Sequence, residues 1–293
     1  MLKIKEIRVH EPEIIRVSGW EQYGWLRHGF STRTGGVSKV YSQDQHTGEL
    51  NLGWTNEDDP GNVEENRWCF ARTVTGEKGG KAGWPLVTVR QIHSDGIRAV
   101  GAGDGVFEGR LQTGEGKAVW EGDGLMTHVP GVLLGIQTAD CVPVMVVDVV
   151  KRVVGVFHAG WRGTLARIVE RGVAGMGEEY GSEPGNLVAA VGPSIGACCY
   201  AVGEEVRSGF GAEFKYAGEL FRSAGNESRL DLWEANRRQL VAAGMLPQRI
   251  KVLGECTGCA VDAAGQRRYF SHRMEKGVAG RMLSVAGIAP EEA

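Results

Sequence analysis

The sequence lacks the features that mark membrane, secreted and nucleic-acid-binding proteins. Its longest apolar stretch, residues 142–150, is interrupted by Asp148 and is far shorter than the roughly 20 residues that a membrane-spanning helix requires. Charges at positions 3, 5 and 6 leave no room there for the apolar segment of a signal peptide. The net charge is −3 and no lysine- or arginine-rich run occurs, which argues against nucleic-acid binding. We therefore expect a cytoplasmic protein without membrane or nucleic-acid partners.

Cysteine is also scarce, with six residues in a chain of 293. Small secreted domains that depend on disulfide bonds have a much higher cysteine content. The six cysteines, at positions 69, 141, 198, 199, 256 and 259, do not form such a framework in a chain of this length. We therefore expect reduced thiols, in agreement with a cytoplasmic location.

Glycine, by contrast, is abundant: 45 residues are scattered along the chain without a period, which indicates many tight turns between short elements. Hydrophobic patterns predict strands at residues 87–92, 131–138, 142–148, 153–157, 187–191 and 250–253, and helices at residues 164–180 and 232–244. Strands and helices do not alternate regularly, so we predict an α+β fold with mixed or antiparallel sheets. No linker marks a boundary, and we expect residues 1–293 to form a single domain.

The two neighbouring strands at residues 142–148 and 153–157 predict a hairpin that brings Cys141 and His158 to one end. If Val149 and Val150 form the turn, Cys141 lies directly opposite His158. Opposed residues share one face of a sheet, with Cβ atoms about 4.5–5.5 Å apart. Val-Val is a poor two-residue turn, so a longer loop with a register shifted by one residue is the alternative.

A third potential ligand, His93, follows the predicted strand at residues 87–92. One cysteine and two histidines would leave a fourth coordination position open, as in catalytic zinc sites. Without a metal, Cys141 and His158 would instead suit a nucleophile and its base. Each residue taken alone is more often a buried thiol or a hydrogen-bonded imidazole. The sequence around them favours a site, because Asp140 precedes Cys141 and Arg162 lies at the start of a predicted helix, where anions bind.

Four further cysteines form two pairs. Cys256 and Cys259 make a C-x-x-C motif, and Cys198 and Cys199 are adjacent. A structural zinc site is one interpretation, but adjacent cysteines are unfavourable ligand spacing. Reduced, buried thiols are the interpretation that we favour from the sequence.

Several stretches together resemble one known family. The most specific are ADCVP at residues 139–143 and HAGWRG at residues 158–163, supported by HGFSTRTGGVS at 28–38, QIH at 91–93 and VGPSIGACCYAVGEEV at 191–206. These motifs resemble the laccase-domain family, once labelled multicopper polyphenol oxidase. The family is now described as zinc-dependent purine nucleoside phosphorylases with adenosine deaminase activity, and its bacterial members are also called peptidoglycan editing factor. The resemblance extends from about Gly29 to Arg281.

The resemblance implies a four-layer α/β/β/α sandwich with His93, Cys141 and His158 as the metal ligands. It implies zinc as the cofactor, and phosphate and purine nucleosides as partners: adenosine, inosine, guanosine or methylthioadenosine. Arg67, in the ENR stretch, matches a functional arginine of the family. We expect Arg67 and Arg162 to hold phosphate and Asp140 to transfer a proton.

Two positions depart from the family pattern: Ser94 stands where glycine commonly follows the first histidine ligand, and residues 41–49 form a longer and more polar link. Neither departure removes a ligand, but both could reshape the mouth of the site.

The older oxidase label conflicts with the composition. A multicopper cluster needs many imidazoles, usually in His-x-His pairs, and this chain has seven histidines and no such pair. A site of one cysteine and two histidines could hold a single copper, but zinc is the better fit. Two alternatives to a zinc enzyme stay open: a cysteine-type hydrolase of cell-wall peptides, and a non-catalytic nucleoside-binding protein.

Overall fold

The computed structural model describes residues 11–42, 48–77 and 83–291. The strands in these ranges are β1 (Ile14–Ile15), β2 (Leu26–Ser31), β3 (Thr34–Ser38), β4 (Leu86–Thr88), β5 (Ile97–Val100), β6 (Gly124–Thr127), β7 (Leu133–Thr138), β8 (Val142–Asp148), β9 (Val153–Ala159), β10 (Leu187–Val191), β11 (Ala201–Val202), β12 (Phe221–Ala224), β13 (Glu227–Leu230), β14 (Ile250–Val252) and β15 (Met282–Ile288). The α-helices are α1 (Pro60–Thr75), α2 (Trp161–Leu165), α3 (Ile168–Tyr180), α4 (Glu204–Glu213), α5 (Ala217–Leu220) and α6 (Leu232–Ala242).

Two large sheets organise the molecule. The first has the strand order β1-β2-β15-β7-β4, and the second has the order β14-β10-β8-β9-β6-β5. Each is mostly antiparallel, with parallel pairs between β4 and β7, β10 and β14, and β5 and β6. A third, small sheet has the order β11-β13-β12. These sheets confirm the predicted α+β class.

Alternating side chains on the strands divide the core into layers. On β9, Val154 and Val156 belong to the cluster between the two large sheets, together with Leu134 and Ile136 of β7. Phe157 of β9 points the other way, into a cluster with residues of α3 and α6. Helix α1 covers the outer face of the first sheet through Phe70 and Val74. The layers therefore follow the predicted order α/β/β/α.

Residues at its own N-terminus stabilise helix α1, and one arginine lies on its buried face. The Asp59 carboxylate accepts a hydrogen bond from the Gly61 N–H at 2.7 Å, which caps the helix. The buried positions Val63, Arg67, Phe70 and Val74 have helical spacing. Arg67 therefore lies on the apolar face of α1 rather than in solvent.

The hairpin prediction was wrong in its register. Pro143, not Cys141, lies opposite His158, because the connection comprises the four residues 149–152. The Asp148 carboxylate accepts hydrogen bonds from two backbone N–H groups of this connection, which stabilise the longer turn. Cys141 lies two residues before Pro143, so it is still at the same end of the hairpin as His158.

Other predicted elements differ in their bounds. The helix predicted at residues 164–180 is two helices, because Arg167 adopts a left-handed backbone with φ of 62°. The strand predicted at 87–92 is shorter, and only residues 86–88 pair with β7. Residues 43–47 of the polar link lie outside the described ranges. Among the helices described, none is long and apolar enough to cross a membrane.

Candidate metal centre

The three predicted ligands meet at one rim of the space between the large sheets. His158 lies at the end of β9, Cys141 immediately precedes β8, and His93 follows β4. One ligand atom from each residue lies within 4.8 Å of the other two. The two imidazole rings are 5.0 Å apart and nearly perpendicular, at 75°. The structure therefore assembles a compact Cys-His-His set from three separate segments.

The backbone beside the ligands is held in an unusual shape. His93 and Asp140 both have positive φ, at 60° and 90°, a conformation that costs non-glycine residues energy and often occurs at functional sites. The segment that carries His93 is anchored to the end of β7. There, Gln91 donates to the Gln137 carbonyl at 2.7 Å and accepts from the Gln137 N–H at 2.8 Å. These bonds fix the position of the first histidine.

A buried carboxylate, Asp123, links two of the ligands. Its Oδ1 atom lies 2.8 Å from Nδ1 of His158 and accepts the His93 N–H at 3.0 Å. Ser94 donates to the other oxygen through both its N–H, at 2.6 Å, and its hydroxyl, at 2.7 Å. Because Nδ1 of His158 faces a carboxylate, Nε2 is the nitrogen free to bind a metal.

Asp123 could not be recognised as part of the site from the sequence. Its only local signal is a position immediately before the strand β6, and its partner His158 lies 35 residues further along the chain. Ser94, a departure from the family pattern, supplies a donor that glycine would not have.

The charges of the centre are mutually stabilised. Burial alone would raise the pKa of Asp123, but hydrogen bonds from His158 and Ser94 outweigh it and lower the pKa to about 2. Burial would likewise raise the pKa of Cys141, yet His158 and His93 lower it to about 6. Burial would lower the pKa of His158, but Cys141 and Asp123 raise it to about 9. Cys141 is therefore a thiolate at neutral pH, which is the form that binds metals.

A glycine leaves the space that the sulfur occupies. A Cβ atom on Gly160 would lie 2.9 Å from Sγ of Cys141 and 3.5 Å from the His93 ring. A thiolate and two imidazoles suit zinc, which takes nitrogen and sulfur ligands in a tetrahedral arrangement. Three protein ligands leave one position for a water or substrate. The residues present therefore fit a single zinc ion.

A cavity of about 500 Å³ opens onto the three ligands. Its other lining residues include basic side chains and one large aromatic ring: Arg90, Lys117, His272, Arg281 and Trp54. His272 and Arg281 were not predicted as lining residues, because they lie far from the three predicted ligands along the chain. The lining suits a ligand that combines an aromatic ring with oxygen-rich or anionic groups.

Arg67 lies in an adjacent cavity of about 870 Å³, which shares Trp54 and Lys117 with the first. Its guanidinium donates to the Leu52 carbonyl at 3.1 Å and to the Thr88 hydroxyl at 3.3 Å. No carboxylate pairs with it among the described residues, and burial lowers its pKa to about 10. A buried arginine without a counter-ion favours an anion as its partner.

The other two predicted site residues lie elsewhere. Both carboxylate oxygens of Asp140 accept hydrogen bonds: Oδ1 from the hydroxyls of Thr257 and Ser271, and Oδ2 from the Arg273 N–H. Asp140 does not line the metal-facing cavity. Arg162 is exposed, with its guanidinium 4.2 Å from the Trp161 ring.

Known proteins similar to this chain identify its family. A family model described as multi-copper polyphenol oxidoreductase laccase matches residues 27–289. A purine nucleoside phosphorylase of Deinococcus radiodurans is 36% identical over 267 residues, which cover 90% of each chain. Adenosine deaminase RL5, from an unknown prokaryotic organism, is 39% identical over 177 residues, or 59% of this chain and 66% of that protein.

Among solved structures, the hypothetical protein YfiH of Bacillus licheniformis superimposes with a TM-score of 0.80 at 33% identity, covering 96% of this chain and 98% of that chain. The family model, the Deinococcus protein and YfiH each match nearly the whole chain, which confirms the family that the motifs predicted. The chain therefore belongs to the multi-copper polyphenol oxidoreductase laccase family.

Proposed function

We propose that the protein is a cytoplasmic, zinc-dependent purine nucleoside phosphorylase that also deaminates adenosine. The observation that carries this proposal is the compact set of one thiolate and two imidazoles facing an open, basic cavity. The relatives named as purine nucleoside phosphorylase and adenosine deaminase support the substrate class.

The residues of the centre have distinct tasks in this proposal. His93, Cys141 and His158 hold the metal, and Asp123 orients the His158 ring while fixing the His93 backbone. Zinc bound there would supply Lewis-acid activation of water near neutral pH. The protein contributes the position of the substrate and a site partly shielded from solvent.

In phosphorolysis, a phosphate oxygen attacks ribose C1′ as the bond from C1′ to the purine nitrogen breaks. The electron pair leaves with the purine, and positive charge develops on the sugar. We propose that Arg67 and Lys117 hold the phosphate where the two cavities meet, with Trp54 beside them. Charge-assisted hydrogen bonds suit this role because they are stronger than neutral ones.

For Asp140 we propose a positioning role in place of proton transfer. Its three hydrogen bonds tie residues 257, 271 and 273 to the residue before Cys141. Its carboxylate thereby holds the ligand loop in its left-handed conformation. Phosphate binding by Arg162 stays a prediction, and its exposed guanidinium is available for it.

The experiment that tests the proposal is product analysis with adenosine, with and without phosphate, for the wild type and Cys141→Ala. We expect adenine only when phosphate is present, and inosine with or without phosphate. Cys141→Ala is expected to lose the zinc of the Cys-His-His centre and both products together. Cys69→Ala is a matched control, since Cys69 lies in α1 and is not one of the three predicted metal ligands. A Cys141→Ala enzyme that keeps zinc and both activities contradicts the assignment.

A cysteine hydrolase is the second candidate, because Asp123, His158 and Cys141 form a chain of orienting carboxylate, imidazole and thiolate nucleophile. In that reaction the thiolate attacks a peptide or amide carbonyl, and His158 protonates the leaving amine. Water, deprotonated by His158, then hydrolyses the thioester and releases the acid and the free thiolate. Hydrolysis of cell-wall peptides that survives chelation and is lost on thiol alkylation would favour it over the zinc enzyme.

A further inference from the structure

A second group of potential metal ligands lies outside the centre described above. The structure gathers four thiols into one compact group, the four-cysteine cluster: Cys198, Cys199, Cys256 and Cys259. One ligand atom from each lies within 4.8 Å of the other three, and Sγ of Cys198 is 3.6 Å from Sγ of Cys259. The sequence favoured reduced, buried thiols, but only one of the four cysteines is buried: two are exposed and one is half-buried.

We propose that the four-cysteine cluster binds a structural zinc ion, separate from the catalytic one. A closed set of four cysteines is a standard structural zinc site, and zinc–sulfur bonds of about 2.3 Å place the sulfurs about 3.8 Å apart. The 3.6 Å between Sγ of Cys198 and Sγ of Cys259 is close to that value, and the other sulfurs lie within 4.8 Å. An iron–sulfur cluster would divide its cysteines among several irons and hold them further apart.

The backbone around the cluster is shaped for sulfur ligands. Cys199 donates its N–H to the Gly196 carbonyl at 2.9 Å, and Ala260 donates to the Cys256 carbonyl at 2.9 Å, so each pair sits on a tight turn. The Gly196 N–H donates to Sγ of Cys256 at 3.2 Å. Such a bond stabilises a thiolate and orients its lone pairs, as outer partners of metal ligands do.

Glycines leave the space that the sulfurs need. A Cβ atom on Gly258 would lie 3.2 Å from Sγ of Cys199, and one on Gly196 would lie 3.3 Å from Sγ of Cys198. Two guanidinium groups also reach the same turns: Arg229 donates to the Cys198 carbonyl, and Arg267 to the Gly258 carbonyl at 3.0 Å. Their positive charge complements the two net negative charges of zinc bound by four thiolates.

The position of the cluster explains what the ion would stabilise. It joins the loops that follow β10 and β14, which are neighbouring parallel strands. Thr257, between two of the cysteines, donates its hydroxyl to Asp140 at 2.6 Å, and Ile195 donates its N–H to the Asp140 carbonyl at 2.9 Å. The ion would therefore brace the segment that carries Cys141.

Metal counting on the full-length protein, expressed with added zinc and kept reduced, tests the proposal. We expect two zinc ions per chain in the wild type and one in His93→Ala, because that variant removes only a ligand of the catalytic centre. Adding Cys259→Ser to His93→Ala should remove the remaining zinc and lower Tm, whereas adding Cys69→Ser should change neither. Cobalt loaded into His93→Ala should show the intense sulfur-to-metal charge-transfer bands of a four-thiolate site.

Two outcomes would overturn the proposal. One is a His93→Ala protein that holds no zinc or cobalt, and the other is a disulfide bond within the cluster in protein purified without oxidant, detected by mass spectrometry. If the cysteine variants fail to fold, mercurial titration of His93→Ala replaces them, and release of one zinc as four thiols react is expected. These counts do not depend on activity, so failure of the proposed function leaves this result unchanged.

Discussion

The carboxylate of Asp123 accepts a hydrogen bond from the His158 ring and another from the backbone N–H of His93, so one buried residue positions two of the three proposed metal ligands. The third ligand, Cys141, is placed by the loop that Asp140 holds. The positions of the three side chains therefore depend on two carboxylates, Asp123 and Asp140, that do not themselves belong to the Cys-His-His set.

Asp123→Asn is expected to weaken zinc binding by roughly 10- to 100-fold, as for other partners of metal-bound histidine. The amide of the variant can donate its NH₂ group to Nδ1 of His158. The neutral imidazole then carries its proton on Nε2, and this nitrogen can no longer bind the metal. Competition with a zinc chelator measures the effect. Asp95→Asn is the control, because Asp95 lies two residues from His93 but pairs with Arg171. Equal zinc affinity in both variants would contradict the role of Asp123.

Gly160→Ala is expected to abolish zinc binding at the Cys-His-His centre while the fold is retained. The backbone there, with φ of −64° and ψ of 174°, accommodates alanine, but the new Cβ would displace the Cys141 sulfur. Gly203→Ala is the matched control, since Gly203 also precedes a helix and has no atom within 4 Å of its Cβ position. Zinc content and circular dichroism check both variants. Full zinc occupancy in Gly160→Ala would argue against Cys141 as a ligand.

Arg67→Met should raise the KM for phosphate by at least roughly tenfold, since a hydrogen bond to a charged group contributes about 1.5–3 kcal/mol. Adenosine deamination uses no phosphate and should change little, which separates loss of phosphate binding from loss of fold. Arg162→Met tests the second predicted phosphate ligand in the same assay. Unchanged phosphate kinetics in Arg67→Met would remove Arg67 from the phosphate site.

Alkylation of the metal-free protein should distinguish Cys141 by its pH dependence. Only the thiolate reacts, and a pKa of about 6 keeps Cys141 ionised above neutral pH. Its rate should therefore rise through pH 6 and then level off. The rate for Cys69, whose pKa burial and Glu65 raise to about 11, should still be rising at pH 9. Peptide mass spectrometry follows each residue, and zinc should protect Cys141. A midpoint above pH 8 for Cys141 would contradict the charge arrangement.

Elements that depend on a local pattern of residues could be predicted from the sequence. The apolar runs at residues 142–148 and 187–191 predicted the bounds of β8 and β10, because strand burial follows directly from hydrophobicity. The ends of the predicted strands at residues 87–92, 142–148 and 153–157, together with the family motifs, also indicated the three proposed metal ligands.

The remaining features depend on contacts between distant segments. Asp123 could not be recognised, because its role depends on a hydrogen bond to a residue on another strand. The hairpin register depends on how Asp148 accepts hydrogen bonds from the turn. The four-cysteine cluster forms only when the loops after β10 and β14 lie side by side.

Chelation and reconstitution of the purified enzyme test the central claim most directly. Adenosine turnover, with and without phosphate, is measured before chelation, after it, and after zinc is restored. The account predicts that both products disappear with loss of zinc from the Cys-His-His centre and return when zinc is added. Turnover that persists in a protein shown to contain no metal, or adenosine bound tightly without turnover by the zinc-loaded protein, would contradict it.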